Sequence, residues 1–183
     1  MAAPAGLRGL QTPTLAGHLV RRWAGSLARG GPSSTDETWV ASVLGPGETA
    51  LWERMDGSDR RHAVAVARRV EHALAAPSGA VLAAALLHDV GKVEAGLGTP
   101  GRVVATLVGL AGGRRCAGAW AARSGRLGQL GRYLGYPRLG AGLLEAAGSD
   151  PLVVAWAAQH HLAPERCQLP RPLAAVLRAA DRA

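Results

Sequence analysis

His88 and Asp89 stand side by side in residues 86–92, LLHDVGK, at the end of an apolar run that suits a helix. An imidazole next to a carboxylate in apolar surroundings is costly to desolvate unless something compensates, and a bound metal ion is a common compensation. The stretch ends in Lys92, the one lysine of the chain; the other 20 of its 21 Lys and Arg residues are arginine. More polar groups fall where the pattern is otherwise apolar. His62 opens HAVAVARRV one turn before Val66. His160 and His161 follow an apolar stretch, and Asp181 lies one turn after Leu177, on the apolar side of the last helical segment.

A carboxylate such as Asp181 on the buried side of its helix needs a partner, either an arginine or a metal. The imidazoles and carboxylates among these groups, if gathered, would make a mixed nitrogen and oxygen donor set. Such a set suits Mn, Fe, Co, Ni or Zn better than an all-oxygen Mg cage. Four protein ligands on an octahedral ion leave two positions for water and a substrate oxygen. A divalent metal held there acidifies water and polarises a phosphoryl group, as phosphate ester hydrolysis requires. Lys92 is then placed to neutralise a phosphate oxygen as charge builds; the alternative is a helix C-terminal cation favoured by the dipole. Arg60 and Arg61, just before His62, are either contacts for an anionic substrate or solvated surface, and the same choice applies to Arg102, Arg114 and Arg115. His160 and His161, being adjacent, diverge by about 100° on a helix and do not fully share a face. They are candidate second-metal ligands or phosphate contacts; otherwise one of them is a surface residue.

These positions must be gathered by helices. Ala and Leu dominate, Ile, Phe and Asn are absent, and runs of β-branched residues are short, so an all-α fold is expected. Short helices are expected over residues 37–44 and 48–55, each ended by a glycine-containing turn. A longer one runs from a cap at Ser58 or Asp59 to about residue 75, with Val66, Val70 and Leu74 on one face. The helix over 79–90 stops at Gly91. Residues 98–112 form another, and 112–125 read as a mobile basic connection. Helices over 127–134 and 138–147 flank a Tyr136-Pro137 break. Asp150-Pro151 starts a helix that reaches His160 and His161, and the last helix runs from Pro172 to the end. The sum is a compact bundle of seven or eight helices. Trp52, Trp120 and Trp156 are expected in its core; His18 and His72 are expected to be solvated.

The ordered set resembles the HD superfamily of metal-dependent phosphohydrolases: a His on one helix (His62), an adjacent His-Asp pair ending the next (His88, Asp89) and an Asp on a late helix (Asp181). The 26 positions from His62 to His88 suit two antiparallel helices and a turn. The resemblance covers about residues 48–183, and HDVGK is its most specific element. It implies hydrolysis of a phosphate ester or anhydride, of a nucleotide or dinucleotide, by a metal-activated water, with Asp89 and Lys92 as catalytic groups. In two-metal relatives a His or His-His pair similar to His160-His161 completes a second site, together with a histidine in a segment similar to HPxxGA. Here that segment reads Tyr136-Pro137-Arg138-Leu139-Gly140-Ala141. A phenol replaces an imidazole poorly, which argues against a full second metal. It also motivates a second reading, a catalytically inactive HD module that binds a nucleotide or a partner protein. A third, di-iron redox chemistry, would need the same missing ligand.

Composition sets the remaining bounds. The 183 residues suit one domain, divided here into a lead-in over 1–45 and an HD-type domain over 46–183. The formal charge of +8 points to a small anionic phosphate substrate or another anionic partner, or to arginines on an ordinary solvated face. No nucleic-acid motif is present, and aromatics do not interleave with the basic residues. No run approaches the roughly 20 apolar residues of a membrane span. Two cysteines, Cys116 and Cys167, without metal-type spacing read as free thiols in a reducing cytoplasm. In the lead-in, Leu15, Leu19, Val20, Trp23 and Leu27 share a face beside Arg21, Arg22 and Arg29. They suit a short helix packed on the domain, an amphipathic surface helix or a transit peptide.

Overall fold

Caps and breaks divide the residues described by the computed structural model, 30–97, 99–110 and 113–183, into ten α-helices and three 3-10 turns, with no strand among them. Helices α1 (Ser34–Val43), α2 (Pro46–Glu53), α3 (Gly57–Ala73) and α4 (Gly79–Leu87) lead into a 3-10 turn at Val90–Glu94. Next come α5 (Thr99–Leu110), a 3-10 turn at Gly113–Cys116, α6 (Ala117–Ala121) and α7 (Gly125–Leu134). Helices α8 (Tyr136–Ala146) and α9 (Pro151–Gln159), a 3-10 turn at Pro164–Arg166 and α10 (Arg171–Arg182) complete the order. The architecture is the all-α bundle expected, with more helices than seven or eight. The lead-in helix considered around residues 15–27, and His18, lie outside the described residues. No helix among the described residues is long and apolar enough to cross a membrane. Both cysteines are free.

Helix α4 is the centre of the bundle. Every residue from Val81 to Leu87 is buried, which is what a helix apolar on all sides requires. Ser78 caps it, its hydroxyl accepting from the Val81 N–H. Helices α3 and α9 pack on α4, and α10 packs on α3. Helix α3 buries Ala63, Val66, Ala67 and Val70 while Arg68 and Arg69 stay half-exposed, so its apolar repeat faces inward as expected. Helix α1 adds Val40 to the same core, and Trp52 and Trp156 are buried in it. Trp120, in contrast, is only half-buried.

Three local outcomes differ from the sequence expectation, and each bears on the site. The helix expected to stop at Gly91 ends at Leu87, and the chain tightens into the 3-10 turn before packing on α8. Gly91 is needed for close approach instead of termination. A methyl group there would overlap the Tyr136 carbonyl and lie 2.6 Å from the Gly140 N. Helix α8 begins at Tyr136, two residues earlier than expected, because Pro137 fits the first turn, where its missing N–H costs nothing. The segment expected to be a mobile connection folds into the turn at Gly113–Cys116 and helix α6, which packs on α7. Its sequence, rich in Gly, Ala and Arg, carries no apolar period to announce a helix.

Candidate metal centre

His62 sits on α3, His88 closes α4, Asp89 opens the 3-10 turn and Asp181 lies in the last turn of α10. The fold brings these four together. Potential ligand atoms of His62, His88 and Asp89 lie within 4.8 Å of one another. Asp181 joins them, with Oδ1 at 3.0 Å from His62 Nε2 and 3.5 Å from His88 Nε2. Asp89 Oδ2 is also 3.5 Å from His88 Nε2. His88 and Asp89 are each 2 % exposed, whereas His62 and Asp181 are only partly covered.

The His88 ring is aimed by the backbone. Its Nδ1–H donates to the Ala85 carbonyl at 2.9 Å, which leaves Nε2 facing the two carboxylates. A histidine fixed through one nitrogen by a carbonyl is the usual support for a metal-binding imidazole. His88 Nε2 is buried and finds no hydrogen-bond partner among the described residues. Burial pulls the His88 pKa down, but Asp89 and Asp181 overcome this and raise it above its ordinary value. The spot between the carboxylates therefore favours positive charge, supplied by a proton or by a cation. Asp181 behaves consistently. Burial pushes its carboxyl up, while the hydrogen bond with His62 and the nearby His88 imidazole hold it well below the ordinary carboxylate range.

Lys92 is 5 % exposed. Its ammonium donates to Asp89 Oδ2 and, at 3.3 Å, to Asp59 Oδ1. It thus holds the carboxylate that adjoins His88, and a phosphate oxygen would have to share it with two acids. Asp59 enters the site unforeseen, having been read only as a helix cap. The missed signal is its spacing, since Asp59 and His62 are three apart and so lie on one face of α3. Arg60 binds Glu37 at 3.0 Å and approaches the Trp52 ring, which makes it part of the α1–α2–α3 packing, in contrast to the substrate contact considered for it. Arg61, the other candidate substrate contact, places its guanidinium beside Gly30.

On the far side of Asp89 the structure corrects the sequence reading of His160 and His161. His160 still has helical backbone angles at the C-cap of α9, yet the side chains turn toward each other and the ring centroids are 4.0 Å apart. Both Nε2 atoms converge on one oxygen. The Tyr136 hydroxyl lies 2.7 Å from His161 Nε2, 3.2 Å from His160 Nε2 and 2.7 Å from Asp89 Oδ1. His160 Nδ1–H donates to the Ala157 carbonyl at 2.9 Å, repeating the arrangement at His88. Burial, then the neighbouring His161 and His88, lower the His160 pKa to about 3, so this ring is neutral at ordinary pH.

One further cation was not anticipated. Arg178 is 8 % exposed, and its Nε and Nη2 find no hydrogen-bond partner among the described residues. Its guanidinium lies 5.8 Å from the Trp156 ring centroid, and Trp156 in turn neighbours His160. Arg178 is three residues before Asp181, hence on the same face of α10. Nothing in the surrounding leucines and alanines marks this arginine as buried.

The donor set fits a divalent ion. Asp59 and Asp89 share the Lys92 ammonium, while the carboxylates of Asp89 and Asp181 both face His88 Nε2 and Asp181 also meets His62. The buried, unpartnered His88 Nε2 supplies the lone pair such an ion would take. No family model matches the chain, and neither a curated protein nor a solved structure matches it.

Proposed function

We infer that the protein is an HD-type, metal-dependent phosphohydrolase, hydrolysing a phosphate ester or anhydride such as that of a nucleotide. The observation that carries this reading is the convergence of His62, His88-Asp89 and Asp181, from three separate segments, around the buried, unpartnered His88 Nε2. These four would hold Mn, Fe, Co, Ni or Zn. A bound ion of this kind acidifies water and polarises a phosphoryl oxygen.

The chain's own residues supply the rest. Ala85 fixes the His88 ring, and Lys92 fixes the Asp89 carboxylate, a positioning role that keeps Asp89 oriented before substrate arrives. Tyr136 anchors the other Asp89 oxygen. Arg178 supports an anionic substrate. A buried guanidinium with unmet N–H groups is expensive unless an anion accepts from it, and phosphate oxygens match its donors well. The formal charge of +8 draws anions to the molecule more generally.

The test is elemental analysis of protein purified without chelator, joined to a panel of nucleotide and simple phosphate ester substrates. About one transition metal per chain and metal-dependent phosphate release are expected. Protein that stays metal-free after incubation with Mn, Co, Ni and Zn would sink the reading. Metal-loaded protein that binds nucleotides and turns none over would leave the inactive binding module.

A further inference from the structure

We propose that the Tyr136 hydroxyl occupies the position of a second cation and thereby restricts this site to one metal ion. The inference rests on the metal-centre reading above and concerns the other side of Asp89. Three ligand-type atoms there, Asp89 Oδ1, His160 Nε2 and His161 Nε2, surround a single point. A carboxylate with two imidazoles is a donor set that holds Zn or another borderline divalent ion. The point is filled by an oxygen that belongs to the protein.

Proton counting shows that the hydroxyl serves two of the three contacts and meets His160 Nε2, at 3.2 Å, without a proton to give it. Asp89 Oδ1 only accepts. His160 Nε2 also only accepts, because the His160 proton sits on Nδ1 and is donated to Ala157. The phenol has one proton, and its shorter contact, 2.7 Å, is to Asp89. His161 Nε2–H can then donate to the phenol oxygen across the other 2.7 Å contact. One hydroxyl so links groups that would otherwise converge on a cation. The surrounding distances are those of hydrogen bonds, and coordination at about 2.0–2.2 Å would require all three ligands to close in on the space the oxygen takes.

The position of the phenol is fixed by backbone. Tyr136 is the first residue of α8, and the 3-10 turn carrying Asp89 is pressed against that helix at Gly91 and Gly140. The ring itself is 5 % exposed, so it has little freedom to swing aside for an ion.

Zn²⁺ binding to the full chain, followed by calorimetry and by elemental analysis after gel filtration, tests the proposal. Wild type is expected to take one equivalent. Tyr136→Ala is expected to take two, and Tyr136→Ala combined with His160→Ala to return to one. Tyr136→Phe is expected to remain at one, because its ring still crowds the point that the oxygen leaves. Tyr136→Leu refills the core but is too short to reach that point, so it also is expected to take two and guards against misfolding of the alanine variant. Two equivalents in wild type would overturn the proposal and leave the metal-centre reading intact. So would one equivalent in a folded Tyr136→Leu protein. No bound Zn²⁺ in wild type would remove the metal centre itself, and this inference with it.

Discussion

On one side of Asp89, imidazole and carboxylate groups face one another across 3.0–3.5 Å with a buried nitrogen left unpartnered; on the other, two imidazoles close on a hydroxyl. The ingredients are nearly the same. Each side has a histidine whose Nδ1–H is spent on a backbone carbonyl three residues earlier. What differs is charge. Against its burial, Asp89 and then Asp181 drive His88 toward the protonated form, whereas burial and the neighbouring His161 and His88 hold His160 neutral. Placing a carboxylate opposite an imidazole makes a place for a cation, and placing a phenol there removes the need for one.

The comparison breaks most completely at Asp89, whose two oxygens serve the two sides. Asp89→Ala is expected to abolish metal binding and to lower turnover by about 10³-fold or more. It also leaves Lys92 buried without its closest partner, at a cost of about 3–5 kcal/mol in thermal or urea unfolding. Next in size is the contrast between His88→Ala and His160→Ala. The first is expected to weaken metal affinity by at least about 100-fold and the second by less than about 10-fold, as read by competition with a chelating dye. Equal losses would erase the distinction between the sides.

Acid sensitivity sharpens the same contrast in chelator-treated protein. The His160 pKa is depressed, so its contribution to stability is present above the unfolded value near 6.5 and is lost as pH falls toward about 3. The His88 pKa is raised, so its contribution is full below about 6.5 and is lost as pH rises through the raised value. Melts between pH 3 and 7 are expected to show an acid limb of up to about 1 kcal/mol per pH unit that His160→Gln flattens. The same His88 shift means that metal competes with a proton, so metal affinity is expected to rise with pH. The smallest effect is expected at Arg178. Arg178→Met should stabilise the ligand-free protein by about 1–3 kcal/mol while weakening inhibition by inorganic phosphate.

Much of this was legible from local chemistry. The uninterrupted apolar run of α4, the Asp150-Pro151 start of α9 and the inward repeat of α3 are properties of short stretches, and each formed nearly where expected. The His62, His88, Asp89 and Asp181 set was legible because those types are rare on apolar faces. Tyr136, Asp59 and Arg178 were harder for a common reason. Their roles depend on which distant group each one meets. Tyr136 lies 47 positions from the carboxylate it binds. The divergence of His160 and His161 followed from backbone geometry alone, and it failed because the side chains turn both Nε2 atoms onto the distant Tyr136 hydroxyl.

Gly91 and Gly140 carry no functional group, yet their touching main chains set the interval between the cation side and the phenol side. Rotamer changes cannot widen a gap defined by peptide units. Variation that retunes this site must therefore work through its side chains themselves, because the spacing of its two sides is locked by two absences.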